Sequence, residues 1–147
     1  MDLKNMTTNE KAKLAENPST PLDILRKLAK DKDSWRVRTN VARNPSTPIA
    51  VLHDLAKDEY SGVRMYVALN PSISLDILRK LAKDVNFVVR RYVAKNPKVS
   101  SKLLVMLFEY EKSLREPDFT VIKVLYAHKN LPGFVKSVIE TLFGEML

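Results

Sequence analysis

Self-similarity constrains this chain more than any other feature. Asn-Pro recurs at Asn17-Pro18, Asn44-Pro45, Asn70-Pro71 and Asn96-Pro97, at intervals of 27, 26 and 26 residues. Leu-Ala-Lys-Asp recurs at Leu28–Asp31, Leu55–Asp58 and Leu81–Asp84. Val-Arg follows at Val37, Val63 and Val89, and Val-Ala at Val41, Val67 and Val93. Four markers keep one register, and a fixed period of this length signals stacked supersecondary units.

Each unit reads as two short helices. Helix A runs from about Thr20 to Lys30, with Thr20 as N-cap, Pro21 at the first helical position and Asp23 completing a variant capping box. Leu22, Ile24, Leu25, Leu28 and Ala29 form its apolar face. Thr47, Pro48, Ile49, Val51, Leu52, Leu55 and Ala56 repeat the design. The third unit has Ile73 and Ser74 instead of Thr and Pro, which leaves Ser72 or Ser74 to cap. Helix B covers about 34–43, 61–69 and 87–95, with Val37 and Val41 inward and Ala42 small enough for close packing. Each Asn-Pro stops helix B, because the residue before proline is pushed out of the α region. A pair this short cannot bury its own apolar face, whereas stacked pairs can.

These patterns give an all-α solenoid in one domain: a half-repeat cap over 1–16, repeats over 17–108 and a degenerate helical cap over 109–147. The cap holds one helix around 121–127 and another over 134–143, separated by Pro132-Gly133. Leu142, Phe143, Met146 and Leu147 either cover the last repeat or form a homodimer contact.

The unit Asn-Pro-x-Thr-Pro-x-x-x-Leu-x-x-Leu-Ala-x-Asp, followed by Val-Arg-x-x-Val-Ala-x-Asn-Pro, resembles the leucine-rich repeat variant family over residues 9–108. The resemblance implies a right-handed superhelix of paired helices, one of which can be 3₁₀. The Asp…Val-Arg portion is similar to HEAT-like repeats, in which helix B lines the concave face. Some relatives carry a cysteine-ligated iron–sulfur segment. This chain has no cysteine, so that cluster, disulfides and thiolate chemistry are excluded.

The 147 residues carry 25 lysines and arginines against 17 acids, a net +8. All of that surplus lies within residues 1–100, and 101–147 is neutral. The B segments 34–43, 60–69 and 87–95 contain Arg36, Arg38, Arg43, Arg64, Arg90, Arg91 and Lys95 and no acid. Arg38, Arg64 and Arg90 share one repeat position, and Asp31, Asp58 and Asp84 share another. A structural ladder between repeats accounts for both sets. Arg36, Arg43, Arg91 and Lys95 then remain, with Tyr66 and Tyr92 interleaved, as a candidate binding surface. Asn44, Asn70 and Asn96 are expected to hydrogen-bond backbone at the turn between repeats. Trp35 is assigned to core or interrepeat packing.

Catalysis finds no support. His53 adjoins Asp54, but adjacent residues on a helix do not face each other. His128 stands alone, and the three glycines form no phosphate-cradling loop. No catalytic, cofactor or metal residue is expected. The expectation is a non-catalytic cytoplasmic scaffold, without membrane contact, that binds a protein or other ligand through the helix-B surface. Nucleic-acid binding on the same strip is the alternative. A HEAT-like DNA glycosylase, with Trp35 beside an Asp and an Arg, is a remote third.

Overall fold

A computed structural model describes residues 2–147. Its ten α-helices are α1 (Thr8–Glu16), α2 (Leu22–Leu28), α3 (Trp35–Arg43), α4 (Ile49–Leu55), α5 (Ser61–Leu69), α6 (Leu75–Leu81), α7 (Phe87–Lys95), α8 (Ser101–Ser113), α9 (Phe119–Ala127) and α10 (Gly133–Phe143). Short 3₁₀ turns lie at Leu3–Asn5 and Gly144–Met146, and no strand occurs among the described residues. Both helices of each pair are α-helical.

The helices form two layers. The B helices α1, α3, α5, α7 and α9 pack side by side, each against the next. The A helices α2, α4, α6 and α8 connect them in turn, and α10 follows α9. Between the layers runs one apolar core, from Ala12 through Val37, Val41, Leu52, Val67, Leu78 and Leu104 to Ile139. Val37, Val41 and Ala42 are fully buried, as their spacing requires.

Helix A begins later than its capping signals suggest. Pro21 and Pro48 occupy the N-cap itself, with no side-chain cap bond. Thr20 Oγ1 instead donates to the Leu14 carbonyl at 2.5 Å, and Thr47 Oγ1 to that of Val41 at 2.6 Å. These threonines add a second donor to carbonyls in the last turn of the preceding B helix, which otherwise accept only the C-cap N–H of Asn17 and Asn44. Asp23 is left exposed, 4.0 Å from Lys27. In the third unit Ile73 is buried where the threonine stood, and Ser74 caps α6 through Ile77 N. Leu22 and Ile49 are about half exposed. At 3.6 residues per turn they sit roughly 110° away from the centre of the buried face.

The alternation continues past residue 108. Helix α8 runs on to Ser113, α9 packs on α7 in the B layer, and α10 packs on α9. Phe119 opens α9 as Phe87 opens α7, and Val121 and Leu125 are buried as Val89 and Val93 are. Phe143 meets Phe119 edge-on at 5.9 Å. Phe134, Leu142, Met146 and Leu147 remain exposed at the end of the stack.

Candidate functional site

The seven cations of α3, α5 and α7 divide into two groups. Arg38 and Arg90 are buried, and the Arg64 side chain is 12 % exposed. Arg38 makes a bidentate pair with Asp58 (Nε–Oδ2 2.6 Å, Nη2–Oδ1 3.1 Å). Arg64 does the same with Asp84 (2.7 and 2.9 Å). Arg90 pairs with Glu111, which is wholly buried. Each guanidinium also donates backward to the carbonyl of its own repeat's aspartate: Asp31 and Asp58 at 2.7 Å, Asp84 at 2.8 Å. So Arg38 uses the backbone of Asp31 and the carboxylate of Asp58. The ladder connects each unit to the next.

The aspartates do a second job. Asp58 Oδ1 accepts Tyr60 N and Asp84 Oδ1 accepts Asn86 N, fixing the turn into helix B. Glu111 takes over this role by accepting Asp118 N at 3.1 Å. At the other end Asp31 pairs with Lys11 at 3.0 Å and accepts Asp33 N and Ser34 N. Burial would raise the Asp31 pKa, but the Lys11 bond and charge and the two loop N–H groups outweigh it and leave it below the ordinary 3.8. Arg38 and Arg64 have raised pKa values, chiefly through their hydrogen bonds to Asp58 and Asp84. Tyr60 lies over Arg38 and Tyr110 over Arg90. Asn86 takes the repeat position of Tyr60, so α5 has no ring from that position over Arg64.

Sequence reasoning missed Lys11 and Glu111. The signal for Lys11 was a constant forward spacing of 20 residues, from Lys11 to Asp31, Arg38 to Asp58 and Arg64 to Asp84. Glu111 stands 21 residues after Arg90, outside the repeated motif.

The asparagines form a second row. Asn44 Nδ2 donates to the carbonyls of Ala15 and Asn17, and Asn70 Nδ2 to those of Ala42 and Asn44. Asn96 reaches Ala68 at 2.6 Å. Their Oδ1 atoms accept the N–H two residues on. His128 follows α9 in the same place, and its Nδ1 accepts Asn130 N at 3.1 Å. Burial, then Lys129 and Lys136, depress its pKa.

Arg36, Arg43, Arg91 and Lys95 lie on the open face of the B layer. Among the described residues none has a carboxylate within salt-bridge distance. Arg36 reaches only Asn9 Oδ1, at 3.3 Å, and Arg91 Nε has no partner. Tyr66 and Tyr92 are half-buried against the core. Arg43 stacks over Tyr66 at 5.2 Å, while Lys95 and Arg91 lie over Tyr92 at 5.1 and 5.6 Å. Cations held over aromatic faces in this way are attracted by the ring quadrupole. On the same face, Gly62 and Leu69 of α5 fill the places held by Arg36 and Arg43 on α3. Glu16 of α1 stands one step before Arg43.

Trp35 is not in the core. It is 52 % exposed and stacks on Tyr60 of the following unit with centroids 6.2 Å apart. As the first residue of helix B it sits at the edge formed by the A-to-B turns, with Phe87 also exposed there. His53 is half-exposed, with Lys80 Nζ 3.2 Å from its Nε2 and, contrary to the expectation for adjacent helical residues, the exposed Asp54 carboxylate 3.8 Å from its Nδ1. No three His, Asp or Glu residues gather as a metal site among the described residues. No described helix is long and apolar enough to cross a membrane.

Compared with known proteins, the chain matches no protein-family model, no curated protein and no solved structure.

Proposed function

We propose that the protein is a non-catalytic α-solenoid scaffold that binds a protein partner through the open face of its B helices. The observation that carries this reading is the separation of the cations. Arg38, Arg64 and Arg90 are engaged by buried carboxylates. Arg36, Arg43 and Lys95 are exposed, and a half-buried Arg91 lies with them, beside two half-buried tyrosines. Desolvated aromatic anchors with cations around them are typical of protein-binding surfaces. Successive B helices bring their backbones within 8 Å over several residues, while successive A helices hardly do. That difference supports a stack curved toward the B layer, with this face concave. The right-handed superhelix and the leucine-rich repeat variant resemblance belong to the same reading. So does a cytoplasmic location, in keeping with the absence of cysteine.

Nucleic acid is the weaker reading. A phosphate backbone needs a continuous run of cations, and α5 interrupts this one, since its single cation, Arg64, is held by Asp84. Catalysis has less support still, because Trp35 lies away from the strip.

The test is affinity capture with quantitative mass spectrometry. Immobilised protein is compared with Arg43→Ser/Arg91→Ser/Lys95→Ser and with an A-helix control, Arg26→Ser/Arg79→Ser. Partners lost only with the first variant are expected. Identical recovery on all three surfaces contradicts the reading. Labelled duplex and single-stranded DNA and RNA at low and moderate salt form a parallel arm. Salt-dependent binding abolished by the first variant would replace the protein reading with the nucleic-acid one.

A further inference from the structure

Resting on the B-face reading, we propose that the partner segment is an extended peptide with two acidic clusters flanking an apolar residue. The open cations of the three full repeats occur in two groups, Arg36 and Arg43 on α3, with Lys13 of α1 beside them, and Arg91 and Lys95 on α7. Between them α5 presents no free cation. Its Arg64 is held by Asp84, and its open face carries Gly62, Met65, Tyr66 and Leu69, of which Leu69 is 36 % exposed. Gly62 is helical, and a Cβ there would meet nothing within 4 Å. Neither backbone conformation nor packing requires glycine at that point. Its effect is to leave the middle of the face low, so that a chain can cross over Tyr66 and touch Leu69.

The spacing follows from helix packing. Adjacent packed helices lie about 8–10 Å apart, so α3 and α7 are roughly 16–20 Å apart. An extended chain covers about 3.3–3.6 Å per residue, so the two acidic clusters stand about five or six residues apart. An apolar side chain midway falls over α5. Charge complementarity sets the ends, and burial against Tyr66 and Leu69 sets the centre.

The probe is a random peptide library displayed on phage, selected on the intact protein. Counter-selection uses Arg43→Glu/Lys95→Glu, whose fold is checked by circular dichroism. The expected winners carry acidic residues about five or six apart around an apolar one. Synthetic versions should lose about fivefold in affinity when either acidic cluster is neutralised. They should lose a similar factor on Leu69→Asp. Winners that depend on Arg43 and Lys95 but lack the two-cluster spacing overturn this inference and leave the B-face reading intact. Winners indifferent to the charge reversal overturn both. A selection that enriches nothing overturns the inference, and the capture experiment then decides the B-face reading by itself.

Discussion

Asn70 is 1 % exposed and satisfies four groups at once. Its amide donates to the Ala42 and Asn44 carbonyls, its Oδ1 accepts Ser72 N, and its own N–H closes α5 on Val67. Removing this side chain strands the Ala42 carbonyl and frees Ser72 N, while the Asn44 carbonyl keeps Thr47 N, and each buried group left unpaired costs about 1–3 kcal/mol. Asn70→Ala is therefore expected to lose about 2–4 kcal/mol in urea unfolding. Asn17→Ala, where the side chain is exposed and accepts only Ser19 N, is expected to lose under about 1 kcal/mol. The role of Asn70 was readable from its recurrence before proline. Its reach into the previous unit was not, because a sequence shows that a turn needs a hydrogen bond but not which neighbour supplies the carbonyl. The arginines teach the same lesson. An aspartate stands 7 residues before Arg38 and another 20 after it, and only packing distinguishes the backbone contact from the carboxylate pair.

At the scale of elements, the helices themselves were legible and their first turns were not. Thr20 and Pro21 carry a strong start signal, yet the threonine serves the preceding helix and the proline becomes the cap. A hydroxyl that can close a local helix start can equally close a frayed end beside it, and burial of Thr20 favours the latter. Gly62 lies in the first turn of α5 with helical geometry and open space around it. Gly62→Ala should stabilise the protein by about 0.5–1 kcal/mol, read as a higher unfolding midpoint. A loss of stability would show a backbone demand at that position. Helix α1 is tied to the turn before α3 by the Lys11–Asp31 pair. Because the folded pKa of Asp31 is depressed, its contribution is complete above the ordinary value of 3.8 and is lost as pH falls through the lower folded value. Hydrogen exchange should show α1 opening more readily as pH falls below about 3.8, beyond the change in the other B helices. Lys11→Met should remove that extra sensitivity.

At the scale of the whole molecule, a net charge of +8 is less informative than where the charges stand. Repetition made the A and B alternation legible through residue 108. It lost the next pair because α8 is 13 residues long and the interval from Phe87 to Phe119 grows to 32. Lengthening one helix erases the period without breaking the stack: α9 still packs on α7, Glu111 still meets Arg90, and His128 still accepts a loop N–H. The candidate site was legible as a set of cations. Its division into scaffold and strip was not, since that division depends on which guanidinium groups meet a buried carboxylate. Urea unfolding of Arg64→Met beside Arg43→Ser/Lys95→Ser tests this division most directly. Arg64→Met leaves Asp84 without its cation and should lose about 3–5 kcal/mol, as expected when a mostly buried pair is broken. The double serine variant removes two exposed cations and should stay within about 0.5 kcal/mol of the parent. Equal losses in the two variants would show that Arg43 and Lys95 also hold the stack together, and would contradict the assignment of this face to binding.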